Sequence, residues 1–260
     1  MIVRIALGIE YDGTNFRGWQ IQNGLPTIQE TLEKALSKIA NESITLTCAG
    51  RTDAGVHALG QVVHFDTTKE RDMDAWTRGT NRYLPPSVVV RWAIPVDISF
   101  HARFSALSRR YRYLIFNHTI RSAIFFQRAT WHIHPLNTTL MQQAANVLLG
   151  EQDFSSFRSS ECMSKSVMRY MMDISIYRHQ SLVVIEIEAN AFLHHMVRNI
   201  VGVLLPIGDS SKSPEWMVEV LYAKDRRIAG KTASPQGLYL QQVRYPVSFD
   251  FPAADPIILL

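Results

Sequence analysis

A chain of 260 residues, 47% hydrophobic and 19% charged, with a net charge of +4, has enough length for one large domain or two smaller ones. The opening "MIVRIALGIEY" alternates apolar and other residues and reaches Glu10 early, so it reads as a strand and not as a signal peptide. No apolar run approaches the ~18 residues that cross a bilayer. Two cysteines, Cys48 and Cys162, lack ligand-like spacing, which argues against a disulfide framework and a zinc site and fits a reducing cytoplasm.

In chain order, Val3, Ile5, Leu7 and Ile9 alternate on a first strand. "PTIQETLEKALSKIA" follows, with Thr27 and Glu30 spaced as a capping box and Ile28, Leu32, Ala35, Leu36 and Ile39 forming one apolar stripe. "ITLTC" and "QVVHF" read as strands on either side of a glycine-rich turn, "AGRTDAGVHALG". A helix near 72–83 stops before Pro85 and Pro86, and "SVVVRWAIP" gives another strand. The order then partly repeats. "RRYRYLIF" is a strand and "NTTLMQQAANVLLG" a capped helix ending at Gly150, while "MMDISIYR" and "SLVVIEIEA" form a hairpin around 179–181. "HHMVRNIVGVLLPIG" is a helix halted by Pro206, "PEWMVEVLYAKD" a further helix, and "GLYLQQVRY" the closing strand. Strands and helices mixed in two similar halves predict an α+β protein, divided near residue 105 into halves 1–105 and 106–260.

Charge is unevenly spread. No Asp or Glu occurs from Ile98 to Leu149, where Arg103, Arg109, Arg110, Arg112, Arg121 and Arg128 alternate with aromatic residues and histidines. Such a stretch suits either a solvated basic face or a nucleic-acid backbone.

The turn sets one carboxylate, Asp53, between Arg51 and His57, among Gly50, Gly55 and Gly60. An Asp in a turn usually bonds nearby backbone N–H groups. Here Thr52 can do that and the glycines supply the unusual angles, which leaves Asp53 for chemistry. Held ionised by Arg51, it serves as base, nucleophile or, with least support, metal ligand. Arg198 lies on a helix apolar nearly all round and needs a carboxylate, a need Asp53 shares. Tyr111 and Tyr113 face away from Arg110 and Arg112 on one strand, as core residues, as a platform for a base, or as a phenol for proton transfer. "AGKT" at 229–232 lacks the glycine of a phosphate loop, since position 225 is Asp, and His194 and His195 are adjacent, so a helix cannot aim both at one metal.

"GRTDAGVHALGQVVHF" resembles the signature of the TruA-type tRNA pseudouridine synthases, and "YDGTNFRGWQ", "FHARFSA", "RRYRY", "DFSSF", "NAFLHHMVRNIVG" and "GLYL" extend the likeness in order from about Leu7 to Tyr245. The resemblance implies isomerisation of uridine to pseudouridine at positions 38, 39 and 40 of the tRNA anticodon arm, with no cofactor or metal. It implies that Asp53 is the catalytic residue, by attack at C1′, by attack on the uracil ring, or by acting first on the sugar. Tyr111 would stack on the uracil or take the C5 proton, and Arg198 would pair with Asp53. Arg51 would fill the space the base leaves or hold a phosphate, and Arg109, Arg110 and Arg112 would line a phosphate-binding face. It also implies ferredoxin-like halves with joined sheets around a central basic cleft, and a homodimer that binds tRNA across both subunits. Two other readings compete: a non-catalytic RNA-binding protein or RNA chaperone of the same fold, and a hydrolase using Asp53 with His57 or His64.

Overall fold

The computed structural model describes residues 2–162 and 164–252. Its elements in chain order are β1 (Val3–Tyr11), α1 (Ile28–Ala40), β2 (Thr47–Cys48), β3 (His57–Thr67), a π-helical turn (Ala75–Gly79), β4 (Val88–Val96), β5 (Ser108–Asn117), β6 (Thr130–His132), α2 (Thr138–Ala145), β7 (Gly150–Asp153), β8 (Met168–His179), β9 (Leu182–Ala189), α3 (Met196–Gly208), α4 (Glu215–Ala223) and β10 (Leu238–Arg244). The protein is α+β. It divides into two compact units, one running to Leu107 and resuming at Tyr239, the other being Ser108–Leu238.

In the first unit the strands run β4-β1-β3-β2, with neighbours antiparallel. With α1 crossing between β1 and β2, this is the ferredoxin-like order. Ile5, Leu7 and Ile9 of β1 and Phe65 of β3 are buried together with Ile28, Leu32 and Leu36 of α1. Phe100 packs against Tyr245, Phe249 and Phe251, and Phe251 in turn stacks on Trp92.

The expected second half, 106–260, gives up its last strand to the first unit. β10 lies parallel to β3 at Tyr239 and Leu240, and Arg244 accepts from the Leu107 amide. No change of composition marks this return, because it is decided by pairing partners far away in sequence. Residues 253–260 of that half lie outside the described residues.

In the second unit β5, β9, β8 and β7 follow one another antiparallel, with β6 parallel to β5. The hairpin of β8 and β9 turns at Gln180, whose φ is 52°. Asn137 caps α2 by accepting from the amides of Thr139 and Leu140.

Two local expectations fail for identifiable reasons. Thr27 stands at the N-cap of α1 but its side chain makes no cap bond. The first amides of the helix, those of Ile28 and Gln29, donate instead to the carbonyls of Gly18 and Trp19, while Glu30 pairs with Lys34. Nor does Pro206 halt α3, which continues to Gly208. In the last turn a proline removes a single intrahelical donor, and the chain behind it is held as Asp209 donates to Leu205.

Candidate active site

Asp53 lies half-buried in a turn gripped from several sides, and the grip comes largely from the segment that follows β1. Gln61, fully buried on β3, donates from Nε2 to the Gly50 carbonyl at 2.6 Å. Thr52 is held twice: its hydroxyl lies 2.7 Å from the Tyr11 phenol, and its carbonyl accepts from the Trp19 amide. Gly55 donates to the Phe16 carbonyl, and the turn closes on itself as Val56 donates to the Asp53 carbonyl. Of the three glycines expected to supply unusual angles, only Gly55 has positive φ, at 76°.

The closest approach is made by Gly13 and Gly18. A Cβ on Gly13 would lie 2.0 Å from the Val56 carbonyl oxygen, and one on Gly18, whose φ is 91°, would lie 2.8 Å from that of Thr52. Only glycine lets the two strands of chain touch so closely. Arg51 stands exposed at the edge of the turn.

The two histidines of the hydrolase reading are committed elsewhere. His57 is 2% exposed, with Nδ1 3.1 Å from both the Gly13 amide and Asp12 Oδ1, and its ring stacks on Tyr239. That imidazole and the Thr14 amide hold the Asp12 carboxyl well below the usual carboxylate range. His64 accepts from the Ala102 amide through Nδ1. Burial, with Arg4 and His101 nearby, pushes its imidazole down to about 4, against a smaller opposing pull from Asp66.

The sign of the resulting pH dependence follows. In the unfolded chain this histidine protonates near pH 6.5, whereas the folded protein keeps it neutral to about pH 4. Its contribution is complete above about pH 6.5 and is lost as the pH falls toward 4. Between pH 7 and 5 the change is on the order of 2 kcal/mol, undiminished by solvent because the ring is buried. Thermal melts of wild type should therefore fall over that interval, more steeply than those of His64→Gln. Parallel curves would remove His64 as the cause.

In the second unit β5 separates its side chains as strand alternation requires. Tyr113 is fully buried, its hydroxyl donating to the Ser234 carbonyl and meeting Thr130 Oγ1, so it has a structural role. Tyr111 is 8% exposed and meets Phe192 edge to face at 4.9 Å. Arg198 stands in the first turn of α3, half-buried, and its Nε donates to the Ala233 carbonyl at 2.8 Å. His194 and His195 precede α3 instead of lying on it, with their rings 4.0 Å apart, so the helix argument that set them aside does not apply.

The arginines of β5 are not a free basic face. Arg110 lies opposite Glu188 and Arg112 opposite Glu186 across the ladder with β9. Arg110 reaches Asp173 at 2.6 Å and Glu188 at 3.1 Å, and Arg112 donates twice to Glu186, at 2.8 and 2.6 Å. Arg109 is buried and donates to the Asn190 carbonyl.

Carboxylates from the next strands compensate the charge that the acid-free stretch seemed to offer. Arg112→Ala should therefore lower stability by roughly 1 kcal/mol, since it removes two charge-assisted hydrogen bonds from the largely buried Glu186 but leaves Arg110, at 3.7 Å, as its ion-pair partner. The salt dependence of RNA binding should stay unchanged. A salt slope reduced by about one would return Arg112 to the RNA face.

The sequence model of a family described as tRNA pseudouridine synthase matches residues 8–105 and 144–246, which include the whole Asp53 turn and its clamp. The chain belongs to that family. A protein named tRNA pseudouridine synthase A from Alcanivorax borkumensis is 52% identical over 252 residues, covering 96% of this chain and 94% of its own. Its namesake from Klebsiella pneumoniae is 54% identical over 251 residues, with 96% and 93% covered. One from Coxiella burnetii is 53% identical over 251 residues, with 96% of each covered. As a tRNA pseudouridine synthase this chain is an isomerase that converts uridine to pseudouridine. No helix among the described residues is long and apolar enough to cross a membrane.

Sequence reasoning singled out the aspartate of this synthase but gave no role to Tyr11, Gly13, Gly18 and Gln61, which fix its turn. The signal was present in "YDGTNFRGWQ", where two glycines five residues apart follow a strand.

Proposed function

We propose that this chain isomerises uridine to pseudouridine at positions 38, 39 and 40 of the tRNA anticodon arm, in the cytoplasm, with Asp53 as the catalytic residue. The observation that carries the reading is the clamped turn: four neighbouring groups, from Tyr11, Phe16, Trp19 and Gln61, and one bond within the turn fix the backbone around Asp53, so the carboxylate is presented on a rigid support. The reaction breaks the bond from C1′ to N1, turns the uracil, and joins C1′ to C5. The hydrogen on C5 leaves as a proton and N1 gains one, so atoms and electrons balance without a co-reactant. A stacked base does not permit this, and the target uridine must first leave the helix.

Asp53 opens the sequence by attack at C1′, by addition to the ring, or by acting on the sugar. Tyr111, its ring fixed edge-on by Phe192, suits stacking on the uracil and removal of the C5 proton. Arg198, anchored on Ala233, acts as a positioning residue for the carboxylate. The exposed Arg51 occupies the space the base leaves or takes a phosphate. A homodimer is supported by the exposed apolar residues Ile120, Ile124, Phe126 and Trp131, which lie within a dozen positions of one another.

The deciding experiment is release of tritium from tRNA carrying 5-³H uridine. Wild type should release it at the modified positions. Salt-sensitive tRNA binding with no release would convert the reading to a non-catalytic RNA-binding protein.

A further inference from the structure

Residues 101–105, "HARFS", form a stapled turn in the first unit. The His101 amide donates to Ser105 Oγ, and the Ser105 amide donates back to the His101 carbonyl. The amides of Arg103 and Phe104 both approach His101 Nδ1 at 3.2 Å. That nitrogen accepts from them, which leaves Nε2 as the donor. Ala102 is held from two sides, its amide on His64 and its carbonyl on the Tyr245 phenol at 2.6 Å. The staple therefore has a fixed seat on β3 and on the chain after β10.

What this rigid turn presents is an aromatic ring in water. Phe104 is 75% exposed, with the His101 ring 4.3 Å behind it and the Arg103 guanidinium 5.5 Å from its centroid. His101 leans in turn on His64, at 4.9 Å. A large apolar side chain this exposed is ordinarily mobile, whereas here two neighbours and a closed hydrogen-bond ring fix its face. The turn is seated next to the strand that leads into the Asp53 loop: His64 of β3, which takes the Ala102 amide, lies opposite Thr47 of β2, and β2 runs through Cys48 directly into that loop. In keeping with this, both Arg51 and Arg103 pull down the Cys48 thiol, which burial drives up to about 12. No Asp or Glu occurs between Ile98 and Leu107.

We propose that Phe104, backed by His101 and flanked by Arg103, is a stacking platform for an unpaired RNA base next to the target uridine, with Arg103 and Arg51 receiving the adjoining phosphates. The proposal rests on the synthase reading above and adds a substrate subsite to it. An aromatic face with a guanidinium at its rim is the chemistry that single-stranded nucleotides meet on proteins, indifferent to base identity because every base has a π face. Such a subsite also explains how one Asp53 serves several neighbouring tRNA positions: a sequence-tolerant stack holds the loop without reading it.

The test is steady-state tritium release from an unmodified tRNA transcript carrying 5-³H uridine, with Phe104→Ala, Phe104→Trp and Arg103→Gln beside wild type. Phe104→Ala should raise KM roughly 5- to 100-fold, the range of one lost base stack, with kcat much less affected. Phe104→Trp should restore KM. Arg103→Gln should reduce the slope of log affinity against log salt by about one. At 75% exposure Phe104 contributes little to folding, and circular dichroism of the variants checks that. An unchanged KM in Phe104→Ala overturns the platform while leaving the synthase reading intact. A fall in oligomeric mass on ultracentrifugation, with KM recovering at high protein concentration, overturns it in favour of a contact between copies. Failure of wild type to release tritium would instead remove the reading on which the platform rests.

Discussion

Asp53→Asn should give a protein that binds tRNA nearly as well as wild type and does not turn it over. The side chain keeps its volume and its capacity to accept hydrogen bonds but loses the charge and nucleophilicity on which the proposed role of Asp53 depends. Removing one member of a protease catalytic triad costs on the order of 10^4- to 10^6-fold in kcat, and a loss of at least about 10^4-fold is expected here. The fold around it should survive, because the turn is fixed by contacts to Gly50, Thr52, Gly55 and Val56 and not by Asp53's own side chain alone. Tritium release read beside filter binding at one salt concentration separates the two effects. If binding disappears along with turnover, Asp53 is part of the scaffold and the catalytic assignment falls.

The second large effect is expected at a residue without functional groups. In Gly13→Ala the new methyl group would stand 2.0 Å from the Val56 carbonyl oxygen, a distance no pair of these atoms tolerates. Both partners are backbone, so relief requires moving either the end of β1 or the Asp53 turn. Gly13 also brings its amide to His57 Nδ1, a bond that the same displacement breaks. A destabilisation of about 3 kcal/mol, with turnover reduced more than the loss of folded protein explains, is the expected outcome.

Gly24→Ala is the matched control. Its φ of 72° makes alanine unfavourable by about 1 kcal/mol, but no atom lies within 4 Å of the added Cβ. Equal effects of the two substitutions, in urea melts and in kcat, would show that the clamp does not set the position of the turn.

Features governed by neighbours in sequence were legible; features governed by distant partners were not. The stripe of α1, the Asn137 cap and the β8–β9 hairpin follow from local periodicity and turn chemistry, and the structure has them. The capping box failed because carbonyls from Gly18 and Trp19 reach the helix amides first. Arg112 looked available for phosphate because its partner, Glu186, follows it by 74 residues. Tyr111 and Tyr113 are indistinguishable on the strand pattern, and only packing separates the one against Phe192 from the one bonded to Ser234. Asp53 itself stood out because Thr52, Arg51 and three glycines crowd around it in the sequence, although only Gly55 adopts the left-handed angle expected of them.

The return of the chain to its first unit sets the order in which the protein is made. Between Leu107 and Tyr239 the ribosome must synthesise the 131 residues of the second unit (238 − 108 + 1). At ~5–20 residues per second that is roughly 7–26 s. During this interval β3 lacks its β10 neighbour, and Phe100 lacks Tyr245, Phe249 and Phe251. The nascent first unit is thus left with an open strand edge and a bare aromatic face, the features that recruit chaperones or promote misassembly. A chain terminated early would carry the Asp53 turn and every group that clamps it, yet never close the sheet edge and aromatic face of the unit that holds it.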